Sequence, residues 1–98
     1  NLWELPGGKI LTTRDSKSQL VEMLKKKYNL DVYIKNKIGE VRHQYSHFGI
    51  SLSSFNCKIK NGSKPTVNQP YFWIKKHEIN QFAFPKANHK LFALMLEN

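Results

Sequence analysis

Residues 32–60 restrict the fold of this chain more than any other stretch, because their apolar side chains alternate with polar ones as they do in β-strands. The alternation predicts strands over residues 32–34, 40–45 and 48–52. After Ser53 and Ser54 it continues one residue out of phase, over residues 55–59. Because a shift of one residue turns every side chain to the other face, a β-bulge or a strand break is expected at the two serines.

An amphipathic helix is predicted before the strands, over residues 17–28. Ser16 and Gln19 have the spacing of a helix capping box, apolar side chains recur at helical intervals, and Asn29 is suited to the left-handed conformation that ends a helix. An extended segment is predicted over residues 1–5. It ends at a turn that contains Pro and two Gly.

The C-terminal part of the chain predicts one more strand and a closing helix, for which Pro85 is suited to the first position. The apolar face of that helix would carry Leu91, Phe92, Met95 and Leu96. The other expected elements are a turn at residues 61–65, a strand at 71–74 and a helical turn at 75–80. Together the elements predict an α/β (α+β) fold, an α/β/α sandwich in which a mixed β-sheet has a helix on each face.

The chain is long enough for one domain, residues 1–98, with a hydrophobic core and no disulfide, since Cys57 is its one cysteine. His43 and His47 would lie about 13 Å apart on strand backbone, too far for one metal ion. Cys57 falls in the apolar phase of its strand, where a small buried thiol is expected rather than a nucleophile. Neither a metal site nor a catalytic cysteine is therefore predicted.

The net charge favours a polyanionic partner. Lys and Arg number 16 against 7 Asp and Glu, which gives +9, and such a balance is typical of nucleic-acid binding. Surplus lysine also serves solubility alone, so the charge leaves both interpretations open. The longest apolar run, residues 91–96, is far too short to cross a membrane.

Residues 2–9, LWELPGGK, resemble the W-E-F-P-G-G-K stretch that opens the signature region of Nudix domains. Aligned on its glycines, the Nudix signature asks for Glu where Arg14 stands and for Arg where Glu22 stands. Its two metal-binding glutamates would fall on Lys26 and Lys27. Nudix enzymes use those carboxylates to hold divalent cations, which ammonium groups repel. The resemblance therefore implies a Nudix-like scaffold without the hydrolytic chemistry.

Three further stretches resemble the C-terminal domain of bacterial A/G-specific adenine DNA glycosylases, the MutY family. Residues 43–48 are similar to its V-F-S-H-hydrophobic loop, with Tyr45 in place of Phe. Residues 71–74 resemble its strand ending in Trp, and residues 83–91 resemble the A-L/F-P…K-L/I segment that opens its last helix. The family's strand before L-W-E is missing, so the sheet is expected to lack an edge strand.

The resemblance implies that Tyr45, Ser46 and His47 sense 8-oxoguanine opposite adenine. Oxidation of guanine at C8 turns the N7 acceptor into a donor and adds a carbonyl acceptor. A serine hydroxyl both accepts and donates, so Ser46 can meet both changed atoms. His47 would probe the exocyclic amine and Tyr45 would position the loop; the alternative is an ordinary solvated hairpin loop. Candidate phosphate contacts near it are Lys35, Lys37, Arg42, Lys58 and Lys60.

The resemblance also implies a division of labour, in which this chain recognises DNA and has no catalytic residue, cofactor or metal of its own. The adenine-releasing domain, with a 4Fe-4S cluster that one cysteine could not build, would belong to the rest of the parent polypeptide. The expected partners are that catalytic domain and double-stranded DNA containing 8-oxoguanine opposite adenine. The implied location is the bacterial cytoplasm, at the nucleoid, with no membrane partner.

Two other functions remain open. A divergent Nudix hydrolase of nucleoside-diphosphate compounds would use carboxylates outside the signature, such as Glu4, Glu22 or Glu40, and would need them to cluster. A degenerate Nudix module that binds protein or RNA would have no preference for a DNA lesion.

Overall fold

Two β-strands, two α-helices and a 3-10 helix form over residues 2–97, which are the residues that the computed structural model describes. In chain order they are α1 (Ser16–Tyr28), β1 (Val32–Gln44), β2 (Gly49–Ile59), the 3-10 helix (Lys76–Gln81) and α2 (Lys86–Glu97). The strands pair antiparallel in a two-stranded sheet. This mixture of helix and strand confirms the α+β class. Neither helix is long and apolar enough to cross a membrane, within the residues described.

The observed sheet is smaller than the predicted mixed sheet. The expected strand at residues 71–74 is wrong, because this segment has no strand assignment and the side chains of Phe72 and Trp73 are each 66% exposed. A run of aromatic residues has high β-propensity, but a strand also needs a neighbour whose backbone completes its hydrogen bonds. Residues 2–5 likewise have no strand assignment, and the Trp3 N–H donates to the Ala83 carbonyl at 2.8 Å.

The chain divides into two compact units, and residues of both strands occur in each. The unit that contains α2 comprises the chain up to Glu4, Asn36–Asn56 and the chain from Phe72 onwards. The unit that contains α1 comprises Leu5–Lys35 and Cys57–Tyr71. We call them the α2 unit and the α1 unit.

The core of the α1 unit consists of the buried side chains of Leu24, Leu30 and Val32. Half-buried apolar residues pack around these three: Leu20, Val21, Tyr28, Ile34 and Ile59. Helix α1 brings one face to this core, and its end is as predicted, since Asn29 takes the left-handed conformation with φ 56°. The turn after β2 is also confirmed, with Gly62 at φ 68°.

The start of α1 differs from the predicted capping box. Asp15, not Ser16, is the N-cap, and its carboxylate accepts from the Ser18 N–H at 2.9 Å and from the Ser18 hydroxyl at 2.8 Å. These hydrogen bonds lower the pKa of Asp15. Gln19 instead turns its buried amide toward the preceding loop, where it donates to the Leu11 carbonyl and accepts from the Leu11 N–H, each at 2.8 Å. Gln19 thus fixes the entry loop onto the helix.

The core of the α2 unit lies between the 3-10 helix and α2. Its buried residues are Ile79, Phe84, Ala87, Leu91 and Phe92. The rings of Phe84 and Phe92 meet edge to face at 4.9 Å, a favourable geometry for aromatic pairs. Helix α2 begins directly after Pro85, and the helical turn expected at residues 75–80 is the 3-10 helix, so both predictions are confirmed.

Both strands are longer and less interrupted than their sequences predict. Strand β1 continues through Lys35, Asn36 and Lys37, whose exposed polar side chains hide the alternation. Strand β2 is unbroken at Ser53 and Ser54, so of the two expected alternatives the strand break is wrong and the β-bulge stays a prediction. The burial pattern still changes phase there, because Ser54 and Phe55 are both half-buried.

Gly39 on β1 lies directly beneath α2. A Cβ atom at this position would lie 2.7 Å from Leu94 Cδ1 and 3.7 Å from Leu94 Cγ. Such a distance is shorter than carbon atoms tolerate, so the glycine allows the helix side chain to contact the strand backbone.

We predict that Gly39→Val lowers the free energy of unfolding by about 0.5–2 kcal/mol, because the added side chain overpacks against the end of the Leu94 side chain. The replacement of a glycine inside a strand offsets part of this cost. Urea unfolding of the two single variants and of Gly39→Val/Leu94→Ala measures the effect. The double variant should lose less stability than the sum of the single losses, since the shortened residue 94 leaves room for valine. Additive losses would show that the two positions do not compete for space.

Candidate functional site

Residues 45–48 form the tight loop that joins β1 to β2 in the α2 unit. The Tyr45 N–H donates to the Phe48 carbonyl at 2.7 Å, which closes the loop at its base. Ser46 and His47 occupy the tip, and both are exposed. The sequence-predicted sensing residues are therefore contiguous on one short loop at the end of a hairpin.

The Tyr45 ring supports this loop from one side. It is half-buried, with its centroid 4.6 Å from the His43 ring and 5.0 Å from the Phe48 ring. Aromatic pairs at such centroid distances contribute about 0.5–1.5 kcal/mol beyond the burial of their surface. Phe48 itself is 57% exposed, so the loop has an apolar side next to its polar tip.

The polar groups at the tip have no internal partners. Within residues 2–97, neither the Ser46 hydroxyl nor the His47 ring makes a hydrogen bond, an ion pair or a ring contact. A hydroxyl and an imidazole on a closed hairpin loop can therefore bond to an external molecule without first breaking a contact to the described part of the protein.

Gln44 and Gly49 fix the approach to the loop. The Gln44 amide Nε2 donates to the Tyr45 carbonyl at 3.0 Å. A Cβ atom on Gly49 would lie 2.6 Å from Gln44 Oε1, so the glycine provides the space in which this side chain folds back. Neither residue is among the site residues predicted from the sequence. A glycine directly after a predicted loop nonetheless indicates close packing.

An open pocket of about 440 Å³ lies beside the loop, again within the α2 unit. Its lining residues are Arg42, His43, Gln44, Gly49, Ile50, Ser51 and Lys90. None of them is acidic. The Lys90 Nζ donates to the Arg42 carbonyl at 2.9 Å, which places its ammonium group at the strand. His43 Nδ1 is buried, with no hydrogen-bond partner among the residues described.

The five candidate phosphate contacts are divided between the two units. Lys37 and Arg42 belong to the α2 unit, which carries the loop, whereas the α1 unit contains Lys35, Lys58 and Lys60. Lys37 pairs with Glu40 at 3.1 Å. The ammonium of Lys60 lies 4.7 Å from the centroid of the Tyr33 ring. Of the five, Arg42 alone lines the pocket beside the loop.

The residues at the Nudix signature positions lie together in the α1 unit. Arg14 pairs with Glu22 at 3.2 Å. The signature has Glu at the first of these positions and Arg at the second, so the two charges are exchanged in this chain. The Lys27 ammonium donates to the Gly7 carbonyl at 2.8 Å, and Lys26 and Lys27 line an open pocket of about 380 Å³. Basic groups thus occupy the positions where the signature has metal-binding carboxylates.

Other reactive side chains are dispersed. No group of three or more His, Cys, Asp or Glu residues in the described range could hold a metal ion. Glu40 accepts from Lys37 and from Ser53, and these bonds lower the pKa of its carboxyl group. Cys57 was expected to be buried but is exposed, because β2 turns that position outward. Partial burial of its sulfur nonetheless raises the pKa of the Cys57 thiol.

Comparison with known proteins gives one family and one fold. The family profile of the NUDIX domain matches residues 1–94. The solution structure of the E. coli ORF135 protein is similar to this chain with a TM-score of 0.83 and 18% sequence identity; the match covers 98% of this chain and 69% of that chain. A likeness at this identity establishes the fold alone. No curated protein has a significant sequence match.

We predict that Tyr45→Ala lowers the free energy of unfolding by about 1–2 kcal/mol, because it removes two ring contacts at the base of the loop. Tyr71→Ala is the matched control: Tyr71 is 49% exposed and makes no ring contact to any described residue, so its removal should change the free energy by less than about 0.5 kcal/mol. Chemical unfolding of both variants measures the difference. Equal losses would mean that the rings do not support the hairpin.

Proposed function

Because the chain belongs to the NUDIX domain family, we propose that it is a recognition domain on this scaffold that senses 8-oxoguanine opposite adenine, within an adenine DNA glycosylase of base-excision repair. The observation that carries the proposal is the loop of Tyr45, Ser46 and His47, whose polar tip is exposed and unbonded within the described chain. Its residues also resemble the lesion-sensing loop of the MutY family.

Ser46 has the chemistry that the lesion requires. Guanine offers an acceptor at N7, whereas 8-oxoguanine has a donor there and a carbonyl acceptor beside it. The Ser46 hydroxyl would accept from the N7–H and donate to the C8 carbonyl, so it would address both atoms by which the two bases differ. Exposure at the tip of a hairpin suits insertion into the major groove, which admits a two-stranded ribbon.

Tyr45 and His47 have supporting roles in this proposal. His47, adjacent to Ser46 on the exposed tip, would probe the exocyclic amine of the same base. Tyr45 would keep the loop in register through its packing against His43 and Phe48. The exposed face of Phe48 extends the loop with an apolar surface suited to a base or a sugar.

The chain would recognise and not cut. The signature positions that hold metal ions in Nudix enzymes carry Lys26 and Lys27, and Lys27 is engaged with a backbone carbonyl. The adenine-releasing domain and its 4Fe-4S cluster would be supplied by the parent polypeptide. The proposed partners are this catalytic domain and lesion-containing duplex DNA, in a bacterial cytoplasm.

Two of the three carboxylates named for the hydrolase alternative are already engaged, whereas Glu4 is exposed and forms no ion pair among the described residues. Glu22 pairs with Arg14, and Glu40 accepts from Lys37 and Ser53. Catalysis of phosphoanhydride cleavage usually requires carboxylates that converge on Mg²⁺. These pairings favour the recognition function over hydrolysis.

We predict that Ser46→Ala, in the full-length protein, reduces the preference for an 8-oxoguanine·A duplex over a G·A duplex by roughly five- to thirty-fold. One or two lost hydrogen bonds at about 1 kcal/mol each give this range, and a water molecule replacing the hydroxyl would place the result near its lower end. The measurement is the ratio of the two dissociation constants at one fixed salt concentration. Affinity for the G·A duplex should stay unchanged.

Ser16→Ala on α1 is the control, because it removes the same hydroxyl from the α1 unit. His47→Ala should add to the loss caused by Ser46→Ala. An unchanged ratio in Ser46→Ala would refute the sensing role and leave residues 45–47 as an ordinary hairpin loop.

We also predict no hydrolysis of 8-oxo-dGTP or ADP-ribose with Mg²⁺ or Mn²⁺, because ammonium groups at residues 26 and 27 repel the cations that such a reaction needs. Release of phosphate or pyrophosphate from a purified preparation is the assay. Metal-dependent release that disappears in Glu22→Gln or Glu40→Gln would instead establish the divergent hydrolase.

A further inference from the structure

We propose that the pocket beside the loop, formed around Arg42, Ser51 and Lys90, binds a backbone phosphate of the DNA strand whose base the loop reads. This inference rests on the proposed function and adds to it a site that fixes the position of the strand. It adds Lys90 to the phosphate contacts expected from the sequence, of which Arg42 alone lines this pocket.

The charge of the pocket selects an anion. Arg42 and Lys90 bring two positive charges to a lining that contains no carboxylate. Glu40 lies two residues before Arg42 on β1, but its carboxylate accepts from Lys37 at 3.1 Å and from Ser53 at 3.0 Å. Its negative charge interacts mainly with Lys37 and also with Arg42, whereas Lys90 forms no ion pair among the described residues, so the lining of the pocket keeps a net positive charge.

The hydrogen-bond donors of the pocket suit the oxygen atoms of a tetrahedral phosphate group. The Arg42 guanidinium offers a planar fork and the Ser51 hydroxyl one donor. The Lys90 ammonium has three donors, of which one bonds to the Arg42 carbonyl and two remain for a ligand. The Lys90 ammonium is already held at the strand through the Arg42 carbonyl at 2.9 Å, so little side-chain ordering is needed on binding.

The position of the pocket matches that of a DNA strand on the loop. Arg42 precedes Ser46 by four residues, which spans at most about 13 Å along strand backbone. One DNA strand rises about 3.4 Å per nucleotide, so a base at Ser46 and a phosphate at Arg42 can belong to the same few nucleotides. A pocket of about 440 Å³ has room for a phosphate group with water.

The test uses Arg42→Gln/Lys90→Gln in the full-length protein, with Lys17→Gln/Lys64→Gln as a control that removes the same number of charges from exposed positions of the α1 unit. Dissociation constants are measured for 8-oxoguanine·A and G·A duplexes over a series of salt concentrations. In the pocket variant both affinities should fall by a common factor of roughly ten to a hundred. The slope of log K against log salt should become less steep by about 1, with the lesion preference unchanged.

A charge-retaining variant, Arg42→Lys/Lys90→Arg, guards against loss of folding and should keep the wild-type salt slope. A pocket variant that behaves like the α1-unit control would overturn the phosphate site. The two proposals fail separately: a wild-type protein without lesion preference refutes the sensing role, even if the pocket variant flattens the salt slope.

NMR titration with inorganic phosphate distinguishes free phosphate from a DNA phosphate as the occupant of the pocket. Amide shifts at Arg42 and Ser51 at millimolar phosphate or below would make free phosphate the occupant and overturn the assignment to DNA.

Discussion

The backbone pairing of β1 with β2 is the interaction on which the rest of this structure depends. Both compact units contain residues of the two strands, so each unit is built against part of the same hydrogen-bonded ladder. In the α1 unit, Val32 carries the strand into the buried core. In the α2 unit, Gly39 brings the strand backbone against Leu94 of the closing helix. The exposed loop is positioned by the same ladder, because it is the turn that joins the strands.

Three acidic residues in the described part of the chain pair with basic residues near them, and this pairing affects the electrostatic field around the molecule. Three ion pairs occur among the described residues, Arg14–Glu22, Lys25–Asp31 and Lys37–Glu40, and in each the charged side chains are largely in contact with water. Exposed pairs of this kind contribute little to stability. Their main effect is on the field around the molecule, because they place acids next to bases and leave the remaining lysines uncompensated, in keeping with the net charge of +9.

Much of the secondary structure follows from local chemistry and is predictable from the sequence. The left-handed Asn29, the turn at Gly62 and the helix after Pro85 each depend on the conformational preference of one residue. The errors depend on partners that are distant in the sequence. Lys35 to Lys37 continue β1 because a second strand lies beside them. Residues 71–74 form no strand, because no strand lies beside them among the residues described. The loop of residues 45–48 is recognisable from its motif, whereas the contact of Lys90 with the Arg42 carbonyl depends on where α2 packs.

The exposed segment of residues 71–74 also affects the behaviour of the protein in solution. Tyr71, Phe72, Trp73 and Ile74 combine high β-propensity with large exposed apolar surfaces. Such a run is prone to form intermolecular β-sheets, because its backbone is open to a strand from another molecule. The chain places Pro70 before the run and Lys75 and Lys76 after it. Proline cannot extend a ladder and like charges oppose stacking of identical chains, so these flanking residues act as gatekeepers against aggregation. Lys75 and Lys76 do so in addition to starting the 3-10 helix, where the Lys75 N–H donates to the Glu78 carboxylate at 2.7 Å.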